Sequence, residues 1–243
     1  MTNSTSTNDV LHAEAAALAA RIQHTIISNV LTESLWEAHI TECLKYGFNA
    51  AMVPAAWVKR TAERLLGTKV RVASFIDFPY GTMTSAGKAC EARYLAENGV
   101  QEIDLMPEVG YLLSGMEKEY RDDIAGVVQA AGNVPVKIML ELPLLNEQQR
   151  KRAVALSLDA GVAYLKNASG GAVGVATPEQ IRFLRQLAPP NVRVKASGGI
   201  KTAQQLRELL AAGADLAGTS SGVRIIHEVL RQPSTSSQPV SDY

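Results

Sequence analysis

Val162-Ala163-Tyr164-Leu165-Lys166-Asn167-Ala168-Ser169-Gly170-Gly171 reads as a short buried strand that ends on a lysine and runs straight into a glycine-rich loop. An apolar strand has no structural need for a terminal lysine, because burying an ammonium is costly unless something compensates it. Further on, Val192-Arg193-Val194-Lys195-Ala196-Ser197-Gly198-Gly199-Ile200 repeats the design, with a β-branched strand, a lysine near its end and paired glycines. Two lysines at equivalent strand ends point to one site that holds both.

The same unit of helix, glycine, strand and loop extends along the chain. Gly47 leads to Met52, Gly99 to Asp104, Gly132 to Lys137, Gly161 to Lys166 and Gly213 to Gly218, five residues in every case. Strands of similar length that start at similar heights should bring those end positions to one level. Residues 22–27, 50–54 and 71–77 supply the first three strands, 192–196 the seventh and 215–218 the eighth, so eight β/α units are counted. Right-handed crossovers close such a series into a parallel (β/α)8 TIM barrel of the α/β class. Residues 11–21 form an Ala-rich N-terminal helix, and Thr32 caps a second helix that ends at Gly47. Residues 10–231 are therefore read as one barrel domain. The polar residues 1–9 and the Ser-, Pro- and Gln-rich residues 232–243 read as flexible ends.

Composition narrows the class of function. The 243 residues include 47% hydrophobic ones, enough to bury a large core, and 24 basic residues balance 24 acidic ones. That balance, with no run of either sign, excludes the footprint of a nucleic-acid binder. No apolar signal core and no uninterrupted apolar run of membrane-spanning length occurs, so the reading is a cytoplasmic protein without a membrane partner. Cys43 and Cys90 fall in helices without CxxC spacing and read as buried apolar fillers. His24 has no metal-ligand spacing and reads as a hydrogen-bonded structural histidine, whereas His12, His39 and His227 read as helix-surface residues. HExxH, GxGxxG and carboxylate clusters are missing from the sequence, so neither metal nor cofactor is expected. Apolar residues on helix surfaces leave room for a homodimer.

Strand alternation adds a test, since successive side chains face opposite sides. Ile103, Leu105, Ile138, Leu140, Leu165, Val192 and Val194 are expected to pack on helices. The lumen then receives Lys137, Lys166, Arg193 and Lys195 with Glu102, Asp104 and Glu141, where a purely structural barrel prefers Val, Ile and Leu. Two ammonium groups at about 6 Å, with an effective dielectric of about 20, repel by about 2.8 kcal/mol. Crowding of this kind, added to desolvation, lowers a lysine pKa by about 2 units. A neutral lysine attacks carbonyls to give a Schiff base whose iminium is an electron sink, and Asp104 at the same level can shuttle protons. Making or breaking a carbon–carbon bond beside a carbonyl is the matching reaction. The loops Ser197-Gly198-Gly199 and Gly218-Thr219-Ser220-Ser221-Gly222, at the C-terminal ends of strands seven and eight, form an anion cradle at the usual phosphate position of such barrels.

From residue 22 to 223 the chain resembles the deoxyribose-phosphate aldolases, metal-free class I enzymes of (β/α)8 fold. The likeness lies in Glu102-Ile103-Asp104, Tyr164-Leu165-Lys166, Val194 to Thr202 and Gly218-Thr219-Ser220-Ser221-Gly222-Val223. It implies reversible cleavage of 2-deoxyribose 5-phosphate to acetaldehyde and glyceraldehyde 3-phosphate. Lys166 would be the Schiff-base lysine, Lys195 the lysine that depresses its pKa and Asp104 the proton relay, with Gly170 in the substrate loop. The chain departs from the family pattern at Gln23, where an aspartate is common, and at Val53, Leu142, Asn167 and Ala168. These departures are expected to strip polar groups from the sugar-facing wall. They leave two alternatives, an aldolase for another phosphorylated aldol and a silent phosphosugar-binding paralogue. Some family members also end in tyrosine, as this chain does at Tyr243.

Overall fold

The sequence alternates short apolar strands with capped amphipathic helices, and the computed structural model, which describes residues 7–231, closes them into a ring. The strands are β1 (Ile22–Thr25), β2 (Ala50–Met52), β3 (Arg71–Ile76), β4 (Glu102–Leu105), β5 (Val136–Met139), β6 (Tyr164–Lys166), β7 (Arg193–Ser197) and β8 (Leu216–Thr219). All neighbours pair in parallel in chain order, and β8 pairs with β1 to complete an eight-stranded barrel. Helices lie between the strands and surround them. The first, α1 (Thr7–Ala19), precedes the barrel. It takes in residues 7–9, which are therefore helical and not part of a flexible end; residues 1–6 and 232–243, with Tyr243, lie outside the described residues.

Local signals behave as their chemistry requires. Thr32 accepts a hydrogen bond from the Leu35 amide at the start of α2 (Glu33–Tyr46), and Gly47 ends that helix at φ 66°, a conformation that costs a residue with a Cβ. The buried face of α2 consists of Trp36, His39, Ile40 and Cys43, the i, i+3, i+4, i+7 stripe of a core-facing helix. His39 is thus buried rather than on the surface, because its position in the stripe outranks its polarity. Cys90 differs in the opposite sense: its helix packs through Lys88, Ala92 and Leu95, and that spacing turns Cys90 out to solvent.

Alternation along the strands sorts the two barrel faces as expected. Ile103, Leu105, Ile138, Leu140, Leu165, Val192 and Val194 are buried among the helix side chains in one continuous core. The inward set is ordered by the stagger of the strands. Pairing runs Gln23 with Ala50 and Gly218, Asp104 with Lys137, and Lys166 with Lys195. Because the strands tilt, positions level along the barrel axis shift by one residue per strand, and inward side chains form layers of four from alternate strands. Met52, Asp104, Lys166 and Gly218 make one such layer, drawn from β2, β4, β6 and β8. Lys137 lies a half-step below with Gln23, Ala73 and Lys195. Four of the five glycine-spaced positions therefore share a level, and Lys137 departs from it because it stands on an odd-numbered strand.

Leu165 is fully buried on the helix side of β6, whereas Leu66 is 85% exposed. Leu165→Ala is expected to lower unfolding free energy by about 2–5 kcal/mol, and Leu66→Ala to change it by less than about 0.5 kcal/mol. Urea titrations of both variants would check the contrast.

Candidate active site

Three lysines converge on one carboxylate inside the barrel. Lys166 and Lys195 each donate to the same oxygen, Asp104 Oδ2, at 2.8 and 2.7 Å. Lys137 Nζ reaches Asp104 Oδ1 at 3.1 Å and Glu102 Oε2 at 2.8 Å. Glu102 also accepts from Arg71 Nη1 at 2.5 Å and from Gln23 Nε2 at 2.6 Å, and Lys195 donates to Gln23 Oε1 at 2.6 Å. Every member except Arg71 is buried, so each polar contact here replaces lost hydration and weighs more than on a surface.

The electrostatics follow from this crowding. Burial alone would raise the Asp104 carboxyl, but Lys166, Lys195 and Lys137 outweigh it and hold the group well below the usual carboxylate range. Glu102 behaves alike: burial opposes ionisation, yet Lys137, Arg71 and Gln23 bring its pKa down to about 2. Burial pushes Lys195 down to about 7; Asp104 pulls the other way, and repulsion from Lys166 and Lys137 adds to the lowering. Lys137 is as buried, but the two carboxylates it touches raise it above the usual lysine value. The lowering falls on Lys195, the lysine that the family resemblance casts as depressing its neighbour.

Above this floor opens a cavity of about 410 Å³. Lys166, Lys195 and Asp104 line it, together with Gly170, Ser197, Gly198, Gly199, Gly218, Thr219, Ser220 and Ser221, so the structure brings all the expected site residues to one space. At Gly218 a Cβ would stand 3.0 Å from Lys195 Cε, so any side chain there would crowd the lysine. The Thr219 hydroxyl is spent within its own loop, donating to Ile200 O at 2.6 Å and accepting from the Ser221 amide at 2.9 Å. It shapes the cradle rather than offering a free hydroxyl. Ser220 and Ser221 precede the last helix, Gly222–Arg231, whose N-terminus favours an anion.

Two residues expected in the lumen stand elsewhere. Arg193 points inward by alternation but sits at the opposite, N-terminal end of β7, where it is exposed and its Nη1 meets the Tyr164 hydroxyl at 3.0 Å. Glu141 lies past the end of β5 with φ 49°, and its Oε1 accepts a short hydrogen bond from the Ser169 amide. It braces the loop after Lys166 instead of facing the cavity. Nor do the departures from the family pattern face the sugar wall. Val53 and Leu142 belong to the outer core, and Ala168 is buried. Asn167 donates to Ser197 O and accepts from the Ser197 amide, tying the two glycine loops together. Their side chains therefore build the support of the cavity, not its lining.

Sequence reasoning did not foresee the mainly apolar part of the cavity lining, formed by Thr25, Met52, Phe75, Phe78 and Met139. Alternation carried the signal for most of it, because Thr25, Phe75, Met139 and Ser197 are the inward residues of the next layer. Gln23, read only as a departure, proved to be a member of the charged floor. His24 is engaged as expected, with Nε2 3.0 Å from Glu42 and its ring stacked on His39. His24, His39 and Glu42 bring donor atoms within 4.8 Å of one another. The two imidazole rings stack face to face, tilted by 21° with centroids 4.7 Å apart.

Fold and floor together define a lysine-centred (β/α)8 barrel protein. No protein-family model matches the chain, but individual relatives do. A deoxyribose-phosphate aldolase of Brevibacillus brevis is 40% identical over 205 residues, covering 84% of this chain and 93% of its own. That of Methanothermobacter thermautotrophicus is 40% identical over 211 residues, covering 86% and 93%. The solved tetrameric deoxyribose phosphate aldolase from Aeropyrum pernix superposes with a TM-score of 0.80 at 29% identity, over 91% of this chain and 97% of that one. The chain belongs to the deoxyribose-phosphate aldolase family.

Glu102 ionises more easily in the folded state than in the unfolded chain, so its ionised form stabilises the fold above its usual pKa of 4.5 and ceases to do so as pH falls through about 2. Glu102→Gln is expected to cost about 3–5 kcal/mol at neutral pH, because Lys137 loses one of its two carboxylates. The gap from the parent should narrow as the medium is acidified from pH 4.5 towards 2, read by denaturant titration at several pH values.

Proposed function

We propose that this protein is a class I aldolase that reversibly cleaves 2-deoxy-D-ribose 5-phosphate to acetaldehyde and D-glyceraldehyde 3-phosphate, with Lys166 as the nucleophile. One observation carries the reading: two buried amines share one carboxylate oxygen at the closed end of an open cavity. Lys166 is the nucleophile because it is the most accessible of the three lysines, at 5% exposure. Family membership supports the substrate, and the departures supply no argument for another aldol, since they do not face the cavity.

The reaction follows from the groups present. Neutral Lys166 adds to the C1 aldehyde of the open-chain sugar, and the carbinolamine loses water to leave an iminium. A base takes the C3 hydroxyl proton, the C2–C3 bond breaks, and its electron pair flows to the iminium nitrogen as an enamine. D-Glyceraldehyde 3-phosphate departs, the enamine carbon is protonated, and water releases acetaldehyde and the free amine. Asp104 and Lys195 handle these protons. Asp104 stays ionised as acceptor, and Lys195, at about 7, exchanges its proton near neutral pH. The phosphate is assigned to the amides of Gly170, Gly198, Gly199 and Ser220 and to the Ser221 hydroxyl, aided by the dipole of the last helix. The chemistry calls for no cofactor or metal. A second copy of the chain is the macromolecular partner we propose, and light scattering would read the assembly.

Borohydride trapping with acetaldehyde is expected to leave an ethyl group on Lys166, and Lys166→Leu to form no adduct; an adduct on another lysine would overturn the assignment. Lys195→Leu is expected to lower kcat by about 10²–10⁴-fold. Turnover should favour 2-deoxyribose 5-phosphate over related phosphosugars.

A further inference from the structure

A fourth buried lysine stands outside the charged floor, and the proposed reaction makes no use of it. Lys88 lies near the start of the helix Ser85–Glu97, which follows β3, and its side chain is fully buried. An ammonium is costly to bury, and the helix dipole opposes a cation near an N-terminus, so the position needs a counterweight. Three acceptors supply it. Lys88 Nζ donates to Asp123 Oδ2 at 2.7 Å and to Gly81 O at 2.8 Å, and Asp77 Oδ2 lies 3.4 Å away. Asp123, itself buried on the helix Glu117–Ala131, also accepts from the Ser85 hydroxyl at 2.7 Å and from the Glu108 amide at 3.3 Å. Asp77 Oδ2 accepts from the Met83 amide at 2.7 Å.

These contacts meet at the segment 77–84, between β3 and that helix. The same segment carries Phe78 and Pro79, which line the cavity together with Lys166, and the Phe78 ring packs on Phe75 of β3 with centroids 5.2 Å apart. Backbone packing adds a further hold: at Gly81, φ 76°, a Cβ would run into Pro107 O, so the segment lies flush on the loop that follows the strand of Asp104. We propose that Lys88 is a positioning residue of the aldolase site, a buried tie that joins the segment 77–84 to Asp123 and holds the wall made by Phe78 and Pro79 against the bound aldol. The proposal rests on the aldolase reading and adds how one side of its cavity is fixed. Asp77 and Gly81 belong to the segment itself, whereas Asp123 stands on another helix, so the amine is the link between them. Without it the two carboxylates repel and Gly81 O loses its donor. That loosens the wall and leaves the lysines on β5, β6 and β7 in place.

Lys88→Met and Phe78→Ala, alone and combined, form the test. Lys88→Met is expected to raise KM for 2-deoxyribose 5-phosphate about tenfold and to leave kcat near that of the parent. Acetaldehyde and borohydride should still label Lys166 at the parent's rate, because so small an aldehyde needs the amine and not the wall. Phe78→Ala is expected to raise KM as well, and the combined variant to match Phe78→Ala, since a tie that acts through Phe78 then has nothing left to hold. Effects on KM that multiply, an unchanged KM in Lys88→Met, or labelling that falls together with kcat would overturn the proposal. Should Lys88→Met fail to fold, Lys88→Met/Asp123→Asn, which removes both charges at once, takes its place in the same cycle. Hydrogen exchange provides a readout that needs no catalysis. Without the lysine, the Gly81 and Met83 amides should exchange about tenfold faster than in the parent, with the β5 and β6 amides unchanged. Equal rates at Gly81 and Met83 would reject the tie. A parent that forms no Lys166 adduct would defeat the aldolase reading instead, and the exchange rates would still judge Lys88.

Discussion

Asp104 is the point on which the barrel's interior depends. One buried carboxylate accepts from three amines that would otherwise repel one another in a space without bulk water. An isolated ammonium there would surrender its proton or unfold the site. A shared anion permits the three to coexist and leaves their protons loosely apportioned. Exposed ion pairs on the outer helices do nothing comparable: Lys118 with Asp122 and Lys151 with Glu147 face solvent, and such pairs add little because water screens them. What is a weak decoration outside becomes, inside, the source of reactivity.

The barrel's stagger makes that convergence possible. Asp104 and Lys166 stand on β4 and β6 and meet at one height, while Lys137 and Lys195 rise from β5 and β7 a half-step lower. Amines on adjacent strands thus approach the aspartate from different levels and do not crowd a single ring. A flat sheet would line up Asp104 with Lys137 but keep Lys195 three strands away. The loops at the same end then need only be short and rich in small residues. At Gly198 a Cβ would lie 2.4 Å from Gly174 O, so close backbone packing, and not flexibility, is what the glycine supplies.

The architecture was legible because it repeats. Helix-ending glycines and alternation along eight strands report the backbone directly, and Lys166 and Lys195 stood out as charges placed where apolar residues belong. Less was legible where contact, not period, decides. Arg193 has the parity of a lumen residue but lies at the wrong end of its strand, and parity says nothing about height. Glu141 continues an apparent alternation past the last paired residue of β5, where the chain has already turned to φ 49°. Gln23 could not be placed at all, since its partners Glu102, Asn49 and Lys195 come from three distant parts of the chain. His39 shows the converse case, in which helical spacing predicted burial more faithfully than side-chain polarity.

Charge counting joins these observations. The buried floor holds Lys137, Lys166 and Lys195 against Asp104 and Glu102, and Arg71, half exposed, shares Glu102 with Lys137. With all three amines protonated the buried groups carry one excess positive charge, and water cannot dissipate it. Release of one proton removes the excess, so the neutral amine that carbonyl addition requires also makes the floor electrically balanced. No third carboxylate joins them, since Lys195 meets the neutral amide oxygen of Gln23, and Gly218 sets no side chain beside that lysine. The reactive state is therefore not strained against the fold; the fold is built to be one anion short.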